Sequence, residues 1–314
     1  MKFTTLITES KDYSEKAIAN YKSLGQVYFD SKPRQDANIL VVGLSHQIDK
    51  KWIDAMPNLK AIVSPATGFN HMDIKYAKAK GIKVISLRGR KGFLKNIPST
   101  AEEAMGLLFA LVRNIPWAFD DVKNGVWNRI KWRGHQVYKK TFGLYGFGRL
   151  GRIMARYGRA FGMKVIAYDP YVSKSMMIKN GVNQVSLQQL LKESDFLSLH
   201  VLLTDDTHNL VTYQHLSAMK PSAFLINTAR GELIEKNALL KALKNKKIAG
   251  AAIDVMWDER GDGGHLKNNP LVEYAKKNKN LIIVPHIGGA TFDGMRATQE
   301  FVSNIAIKYF KRLA

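Results

Sequence analysis

Residues 141–170 read TFGLYGFGRLGRIMARYGRAFGMKVIAYDP, and this stretch decides the fold of the chain. Residues 142–145 form a short apolar run that is typical of a buried parallel strand. Residues 146–151 then match G-x-G-x-x-G, and apolar residues recur after them at helical spacing. A second apolar run follows at 165–168. The stretch therefore predicts a βαβ unit with a glycine-rich turn between its first strand and its helix.

The glycine-rich turn indicates a dinucleotide site. Gly146 permits a tight turn, Gly148 lets the backbone approach a pyrophosphate, and Gly151 lets helix and strand pack closely. The helix N-terminus offers free N–H groups and a positive dipole end to the phosphates. Asp169 follows about 20 residues beyond the last glycine, where a carboxylate can bind the adenine-ribose diol and would repel a 2′-phosphate. Pro170 follows Asp169, so no cationic side chain stands there to bind a 2′-phosphate. The sequence therefore predicts NAD rather than NADP.

Composition excludes several classes of site. The chain has 314 residues, is 46% hydrophobic and contains no cysteine, which excludes disulfides, zinc–thiolate sites, iron–sulfur clusters and thiol nucleophiles. The histidines show no metal-ligand spacing, and no metal is predicted. No apolar run is long enough to cross a bilayer, and the first residues lack the apolar core of a signal peptide. We therefore expect a cytoplasmic protein with no membrane partner.

The formal net charge of +22 is unusual for a chain of this length. Its lysines are scattered over predicted helix faces and loops, as in a solvated surface. They form no motif with interleaved aromatics of the kind that binds single-stranded nucleic acid. No nucleic-acid partner is therefore expected.

Short apolar strands and amphipathic helices alternate on both sides of the βαβ unit. This alternation predicts an α/β fold with two doubly wound parallel sheets. The remaining predicted strands are 3–7, 27–29, 39–43, 61–64, 84–86, 196–201, 223–227, 249–254 and 281–285. The predicted helices of the first hundred residues are 14–24, 51–56 and 73–80.

Residues 99–112 predict a helix of a different kind. Ser99 and Glu102 have the spacing of a capping box, and residues 104–112 are apolar on every side. The run is too short to span a membrane, so we expect protein to bury it on all faces, between domains or between subunits.

Polar groups suited to acid–base chemistry follow three predicted strands. Arg230 lies after one strand, Glu259 after the next and His286 after the third. Arginine offers a planar fork for a carboxylate, and histidine moves protons at neutral pH. A carboxylate bonded to one ring nitrogen would fix the tautomer of such a histidine and stabilise the imidazolium. With nicotinamide performing the hydride chemistry, little more is needed.

These stretches resemble the D-isomer-specific 2-hydroxyacid dehydrogenases. The matching segments are ATGFNHMD (66–73), STAEEAMGLLFAL (99–111), GLYGFGRLG (143–151), NTARGELI (227–234), AAIDVMWDE (251–259) and PHIGGAT (285–291). The resemblance implies a Rossmann NAD-binding domain (99–287) inserted into a smaller flavodoxin-like substrate domain (1–98 plus 288–314). It also implies a homodimer built around the long apolar helix.

The resemblance assigns roles to individual residues. Arg230 would bind the substrate carboxylate and carbonyl, and the Glu259–His286 pair would move the proton. The predicted contacts with NAD are Gly146, Phe147, Gly148, Arg149, Leu150, Gly151, Asp169, Pro170, His200, Thr228, Ala229, Asp254 and Gly288. The predicted contacts with substrate are Ala66, Thr67, Gly68, Arg88, Arg90, Arg230 and His286. In the segment 66–68, the backbone N–H groups near Thr67 and Gly68 would bind the substrate carboxylate.

The resemblance implies that the substrate is a small anionic 2-oxo or 2-hydroxy acid. Overall similarity favours the short D-3-phosphoglycerate-dehydrogenase-like members, and residues 88–95 (the cationic loop) carry four cations and no acid, which would attract a second anionic group. Against this, Ser64 stands where phosphoglycerate dehydrogenases commonly have an arginine, and Ala66 and Leu202 also depart from the family pattern.

Two other functions remain open on sequence alone. One is a glyoxylate, hydroxypyruvate or D-lactate-type reductase. The other is an NAD-sensing binding protein without turnover, like the corepressors of this superfamily, whose positive charge would serve nucleic acid. The three intact catalytic groups favour an enzyme, an NAD-dependent D-2-hydroxyacid dehydrogenase.

Overall fold

Short apolar strands and amphipathic helices build two parallel sheets, one in each of two units of the chain. A computed structural model describes residues 2–9, 11, 13–69 and 71–313. The first unit comprises Met1–Ile97, Arg260–Gly264 and Ala290–Ala314. The second unit comprises Pro98–Glu259 and His265–Gly289.

The first unit contains a five-stranded sheet in the order β2-β1-β3-β4-β5, with every pair parallel. Its strands are β1 (Phe3–Ile7), β2 (Gly25–Phe29), β3 (Ile39–Val41), β4 (Ala61–Ser64) and β5 (Lys83–Ser86). Its helices are α1 (Glu15–Lys22), α2 (Lys50–Asp54), α3 (Ile74–Ala79), α4 (Lys91–Leu94) and α13 (Phe292–Phe310).

Two apolar cores cover the two faces of this sheet, as parallel sheets require. Phe3 and Ile7 of β1 point into one core, which includes Phe310 near the end of α13. Leu6 of the same strand points into the other core, beside Ile53 of α2. Successive side chains of β1 point to opposite faces of the sheet, so each face needs its own cover. Helix α13 helps to bury the face that carries Phe3 and Ile7.

The second unit contains a seven-stranded sheet in the order β12-β11-β10-β9-β6-β7-β8, again all parallel. Its strands are β6 (Thr141–Tyr145), β7 (Lys164–Tyr168), β8 (Asn183–Gln184), β9 (Phe196–Leu199), β10 (Phe224–Asn227), β11 (Gly250–Ile253) and β12 (Leu281–Ile283). Its helices are α5 (Ser99–Val112), α6 (Ile115–Lys123), α7 (Arg149–Ala160), α8 (Lys174–Lys179), α9 (Leu187–Glu193), α10 (Tyr213–Ser217), α11 (Ala238–Lys244) and α12 (Pro270–Lys277). Short 3-10 turns lie at Asp205–Thr207, Gly231–Leu233 and Gly264–Leu266.

The strand order of the second sheet reverses at β6. The chain runs outward from β6 to β7 and β8, then returns to add β9, β10, β11 and β12 on the other side. Ligands of doubly wound sheets bind at the carboxyl ends of strands beside such a switch point. The glycine-rich turn after β6 and His200 after β9 therefore meet at the expected place.

The predicted fold class is confirmed, with differences at element ends. Two doubly wound parallel sheets are present, and strands β1 and β4 have the predicted bounds. The two-residue strand β8 was not predicted, because it is too short to show periodicity. Ser99 does not cap α5 as predicted; Pro98 is the N-cap residue and Ser99 is the first helical residue.

The apolar helix α5 is covered by its own unit on most of its surface. Eight of its residues are buried, among them Leu107 and Leu108, while Glu102 and Gly106 are exposed. The prediction that protein buries every face of this helix stays a prediction, because it includes burial between subunits. The helix lies in the same core as β6 and α7.

Segment Arg260–Gly264 groups with the first unit although its neighbours in sequence belong to the second. Gly261 lies so close to the backbone of Ser45 that an added Cβ would collide with it. No sequence pattern indicated this placement, because the contact depends on a close approach of two distant backbones.

We predict that Phe310→Ala lowers the free energy of unfolding by about 3–5 kcal/mol. The Phe310 side chain is fully buried and packs edge-on against Phe3 with ring centroids 4.8 Å apart, so truncation leaves a cavity under β1. Urea unfolding followed by circular dichroism measures the change. Phe292→Ala, at a ring that is 81% exposed on the same helix, is the control and should change stability by less than roughly 0.5 kcal/mol. Equal effects of the two substitutions would contradict the packing of α13 on this sheet.

Candidate active site

The glycine-rich turn after β6 has the geometry that a pyrophosphate needs. Gly146 has φ +95°, and a Cβ there would lie 2.6 Å from the His200 carbonyl oxygen. Gly151 packs directly on the carbonyl of Gly146 at the start of α7. A Cβ on Gly148 would meet no atom within 4 Å in the part of the chain that the structure describes. The turn is thus closely packed at Gly146 and Gly151 and open at Gly148. Arg149 and Leu150 begin the helix directly after it.

Asp169 is held beside this turn at the end of β7. Its Oδ2 accepts a hydrogen bond from the Phe147 N–H at 2.8 Å, and its Oδ1 accepts one from the Tyr171 N–H at 2.9 Å. Each carboxylate oxygen has two lone pairs, so both can still accept a ribose hydroxyl. Pro170 lies between these two contacts and is exposed.

Two buried polar atoms at neighbouring strand ends have no partner in the described residues. They are Nδ1 of His200, after β9, and Oγ1 of Thr228, after β10. The other ring nitrogen of His200 bonds to the Ser198 hydroxyl at 2.9 Å, and burial lowers the pKa of this histidine to about 4, so it is neutral at physiological pH. Unsatisfied buried polar atoms are costly, and a ligand with amide or hydroxyl groups would satisfy them. Together with the glycine turn and Asp169, these residues fit NAD.

The turn that carries Arg230 is shaped by Asn227, the last residue of β10. Asn227 Oδ1 accepts from the Ala229 N–H at 3.0 Å, and its Nδ2 donates to the Arg230 carbonyl at 2.8 Å. Arg230 Nη1 donates to the Ala229 carbonyl at 2.6 Å, which orients the guanidinium. The amide of Asn227 is fully buried and thereby fixes the direction in which the arginine leaves the sheet.

Glu259 and His286 form a direct pair. His286 Nδ1 lies 2.6 Å from Glu259 Oε2, and Glu259 Oε1 accepts from the Met256 N–H at 2.6 Å. Burial raises the pKa of Glu259, but the hydrogen bond and charge of His286, the Met256 N–H and the charge of Arg230 outweigh it, so the pKa is lowered overall. The carboxylate is therefore ionised at neutral pH and can stabilise an imidazolium.

Asp254 anchors the turn on which His286 lies. Its Oδ1 accepts from the Ile287 N–H at 2.6 Å and its Oδ2 accepts from the Gly288 N–H at 2.8 Å. His286 has φ +55°, a left-handed conformation that is uncommon for a histidine and is stabilised by these two bonds. Burial raises the pKa of Asp254, and the two N–H groups oppose that rise. The predicted contact of Asp254 and Gly288 with NAD stays a prediction, whereas their contact with each other is observed.

Gly231 allows the strand exits after β10 and β11 to approach. Its Cα lies against the backbone of Met256 and Trp257, where any Cβ would collide. Trp257 Nε1 also donates to the Ile234 carbonyl at 2.7 Å. These contacts bring the segment that ends in Glu259 next to the turn of Arg230.

The loop after β4 in the first unit contains Ala66, Thr67 and Gly68. The Ala66 carbonyl accepts from the Leu87 N–H at 3.2 Å, which ties this loop to the exit of β5. The guanidinium carbon of Arg88 lies 5.0 Å from the centroid of the Phe69 ring in the same loop. Arg90 is exposed and is the N-cap residue of α4, without a side-chain capping bond.

The sequence analysis assigned no individual role to three residues that shape this site in the second unit. Asn227, Gly231 and Met256 act through an amide side chain, a missing Cβ and a backbone N–H. An asparagine that ends a buried strand is a signal in the sequence, whereas a close backbone approach and a backbone N–H contact depend on the tertiary structure. The described residues contain no cluster of three His, Cys, Asp or Glu side chains that could hold a metal ion. None of the helices that the structure describes is long and apolar enough to cross a membrane.

Comparison with known proteins relates this arrangement to one family. The profile of the "D-isomer specific 2-hydroxyacid dehydrogenase, NAD binding domain" matches residues 105–288. The chain is 36% identical over 270 residues to the D-3-phosphoglycerate dehydrogenase of Methanocaldococcus jannaschii, covering 86% of this chain and 49% of that one. It is 36% identical over 284 residues to the glyoxylate reductase of Thermococcus litoralis, covering 88% and 82%. The chain thus spans about half the length of the first relative and most of the second.

A solved structure gives the same result. D-lactate dehydrogenase from Aquifex aeolicus, complexed with NAD and lactic acid, superposes with a TM-score of 0.84 at 28% identity. The match covers 98% of this chain and 95% of that one. The predicted family resemblance and the predicted NAD cofactor are confirmed.

We predict that Asp169→Ala narrows the preference for NADH over NADPH by at least roughly tenfold, because the wild-type carboxylate repels a 2′-phosphate. Each cofactor is titrated into the protein, and the change in protein fluorescence gives the two dissociation constants. The control is Glu193→Ala, which removes a carboxylate at the amino end of the same sheet. A wild-type protein that binds the two cofactors equally would refute the role of Asp169.

Proposed function

Because the chain belongs to the D-isomer-specific 2-hydroxyacid dehydrogenase family, we propose that it transfers a hydride between NAD(H) and a D-2-hydroxy acid or the corresponding 2-oxo acid. The observation that carries this proposal is the 2.6 Å contact between Glu259 Oε2 and His286 Nδ1, next to the turn of Arg230. Bound NAD supplies or accepts the hydride, and the protein side chains hold the acid and move the proton.

His286 is the proposed general acid in the reducing direction. Because Nδ1 is bonded to Glu259, the proton moves at Nε2, for which the described residues provide no partner. The ionised Glu259 stabilises the imidazolium before transfer, and the neutral ring is the base in the reverse direction. Asp254 keeps the ring in place through the two N–H groups after it.

Arg230 is the proposed anchor for the substrate. One guanidinium N–H is bonded to the Ala229 carbonyl, and the remaining donors can bind a carboxylate and a carbonyl oxygen. The permanent charge would also stabilise an oxygen that becomes negative during reduction. His200, Thr228 and the glycine-rich turn would hold NAD.

We assign the substrate domain to residues 1–98 plus 288–314 and the NAD-binding domain to residues 99–287. In the substrate domain, the backbone N–H groups of residues 66–68 would bind the substrate carboxylate. D-3-phosphoglycerate and 3-phosphohydroxypyruvate are the proposed pair, supported by the similarity to the M. jannaschii phosphoglycerate dehydrogenase and by the cationic loop. Ser64, buried and uncharged, favours the second candidate, a glyoxylate or hydroxypyruvate reductase like the T. litoralis relative.

We expect His286→Ala to lower kcat by roughly two to four orders of magnitude while NADH binding stays nearly intact, because only proton transfer loses its carrier. Stopped-flow NADH oxidation with hydroxypyruvate and 3-phosphohydroxypyruvate measures kcat, and fluorescence titration measures NADH binding. His135→Ala, at an exposed histidine of the same unit, is the control. Unchanged turnover in His286→Ala would remove this residue from the mechanism.

We expect Glu259→Gln to move the alkaline limit of reduction to lower pH. The amide keeps the shape of the side chain but removes the negative charge that stabilises the imidazolium before transfer. In the wild type, the lowered pKa of Glu259 keeps its carboxylate charged until acidic pH, where protonation should weaken the pair. A pH profile of kcat/KM that is the same in both proteins would contradict this role.

We also propose a homodimer through the second unit. Helix α6 and the chain after it expose a run of large apolar side chains, of which Trp127 is 88% exposed and Phe119 is 61% exposed. The other members of this run are Ile115, Val122, Val126 and Ile130. Several large exposed apolar side chains within one segment are typical of a protein–protein interface.

Trp127→Asp combined with Phe119→Asp should convert the protein to a monomer, because a buried unpaired carboxylate opposes association. Light scattering after size-exclusion chromatography measures the mass. Ile178→Asp, at a side chain 58% exposed on α8, should leave the mass unchanged. A wild-type protein that is already monomeric would refute the dimer.

A further inference from the structure

We propose that Arg88 selects 2-oxo acids that carry a second anionic group, and this inference rests on the function proposed above. Arg88 is one of four cations in the cationic loop, and its side chain is the one for which the structure describes a contact with the loop after β4.

The exits of β4 and β5 are adjacent. Ser64 and Ser86 are register partners at the ends of these two parallel strands. Just beyond these residues, the Leu87 N–H donates to the Ala66 carbonyl at 3.2 Å. The two segments therefore stay together past the end of the sheet. The Arg88 N–H donates to the Ser86 hydroxyl at 3.2 Å, which closes a turn at this point. The backbone of Arg88 therefore lies beside the loop whose N–H groups are proposed to bind the substrate carboxylate.

The Arg88 side chain lies over an aromatic ring of that loop. Its guanidinium carbon is 5.0 Å from the Phe69 ring centroid, within the range of a cation–π contact. The ring lies on one side of the guanidinium, and the N–H donors that do not point at it can bind an anion. No acidic partner of Arg88 occurs among the described ion pairs and hydrogen bonds. Arg88 is thus an uncompensated charge whose position is restricted before any ligand binds.

The other three cations of the loop lie beyond a change in chain direction. Gly89 has φ +81°, and α4 begins two residues later. Helix α4 is fixed by Phe93, which stacks on Phe301 of α13 at 3.9 Å between ring centroids, and by the buried Leu94. All four cations of the loop are exposed, but Arg90, Lys91 and Lys95 have no described contact to residues 65–69, whereas Arg88 lies over the Phe69 ring. Packing therefore fixes the conformation of the cationic loop. Arg88 differs from the other three cations in its contact with the loop after β4.

The residues beneath the β4 loop do not supply this charge. Ser64 is fully buried, and its hydroxyl lies 3.5 Å from Nε2 of the buried His71. A long side chain in place of Ser64 would have to displace this packing. A positive group for the far end of the substrate must then come from a neighbouring element, and Arg88 on the adjacent strand exit is so placed.

Two charged ends on one small acid fit this arrangement. The carboxylate beside the carbonyl would bind backbone N–H groups, and the second anion would bind the edge of the Arg88 guanidinium. A guanidinium fork matches both phosphate and carboxylate, so a phosphorylated 2-oxo acid and a 2-oxo dicarboxylic acid are both members of the proposed class.

The test compares kcat/KM for NADH oxidation with 3-phosphohydroxypyruvate, oxaloacetate, hydroxypyruvate and pyruvate. Wild type is compared with Arg88→Ala, Arg88→Lys and the control Lys95→Ala, which removes a cation from the same loop. We expect Arg88→Ala to lower kcat/KM for the preferred dianion roughly 10- to 150-fold and to change the values for the monoanions less than about threefold. Arg88→Lys should recover part of the loss, because charge returns without the fork. Whichever dianion is affected identifies the second group as phosphate or carboxylate.

Two results would overturn the role of Arg88. One is a wild type that prefers neither dianion to the monoanions, and the other is an equal loss in Lys95→Ala, which would trace the effect to the net charge of the loop. Calorimetric binding of D-3-phosphoglycerate, D-malate and D-glycerate to the NADH-loaded wild type and Arg88→Ala separates this inference from the proposed function. Absence of turnover with every acid would refute the dehydrogenase function. The Arg88 assignment would then still fail if neither dianion bound more tightly than D-glycerate, or if Arg88→Ala did not weaken the tighter one.

Discussion

The hydrogen bond between Glu259 and His286 is the contact on which the chemistry of the second unit depends. It places a carboxylate 2.6 Å from an imidazole nitrogen, and a further hydrogen bond holds each side of the pair. The Met256 N–H holds the other oxygen of Glu259, and Asp254 holds the two N–H groups that follow His286. The pair is therefore restrained from both sides, so little rearrangement is needed when a proton moves.

The two acids near this histidine affect stability in opposite directions. Because the pKa of Glu259 is lowered in the folded protein, its ionised form stabilises the fold above its unfolded pKa, and this contribution is lost as pH falls through the folded value. The pKa of Asp254 is raised by burial, so its stabilising contribution belongs to the protonated form and is lost as pH rises through the folded value. Asp254 nevertheless holds the left-handed turn at His286, because its two oxygens accept from the Ile287 and Gly288 N–H groups.

The parallel sheet explains why these residues can meet although the chain separates them. The carboxyl ends of β6, β9, β10 and β11 lie along one edge, and the turns after them carry Gly146, His200, Arg230 and Asp254. Close backbone approaches at Gly146 and Gly231 then remove the space that side chains would need between neighbouring turns. The same principle operates in the first unit, where the exits of β4 and β5 bring Arg88 beside Phe69.

Sequence alone determined the fold class, because burial on both faces of a parallel sheet requires continuous apolar runs, and helices require their own period. It also placed Arg230, Glu259 and His286 directly after strands, since strand exits are readable from where apolar runs stop. Only the tertiary structure decided how Asn227 aims the arginine, how Asp254 fixes the turn of His286 and which loop cation lies over Phe69. Those contacts join residues that are distant in sequence or act through backbone atoms, and neither distance in space nor a backbone N–H leaves a periodic trace in the amino-acid sequence.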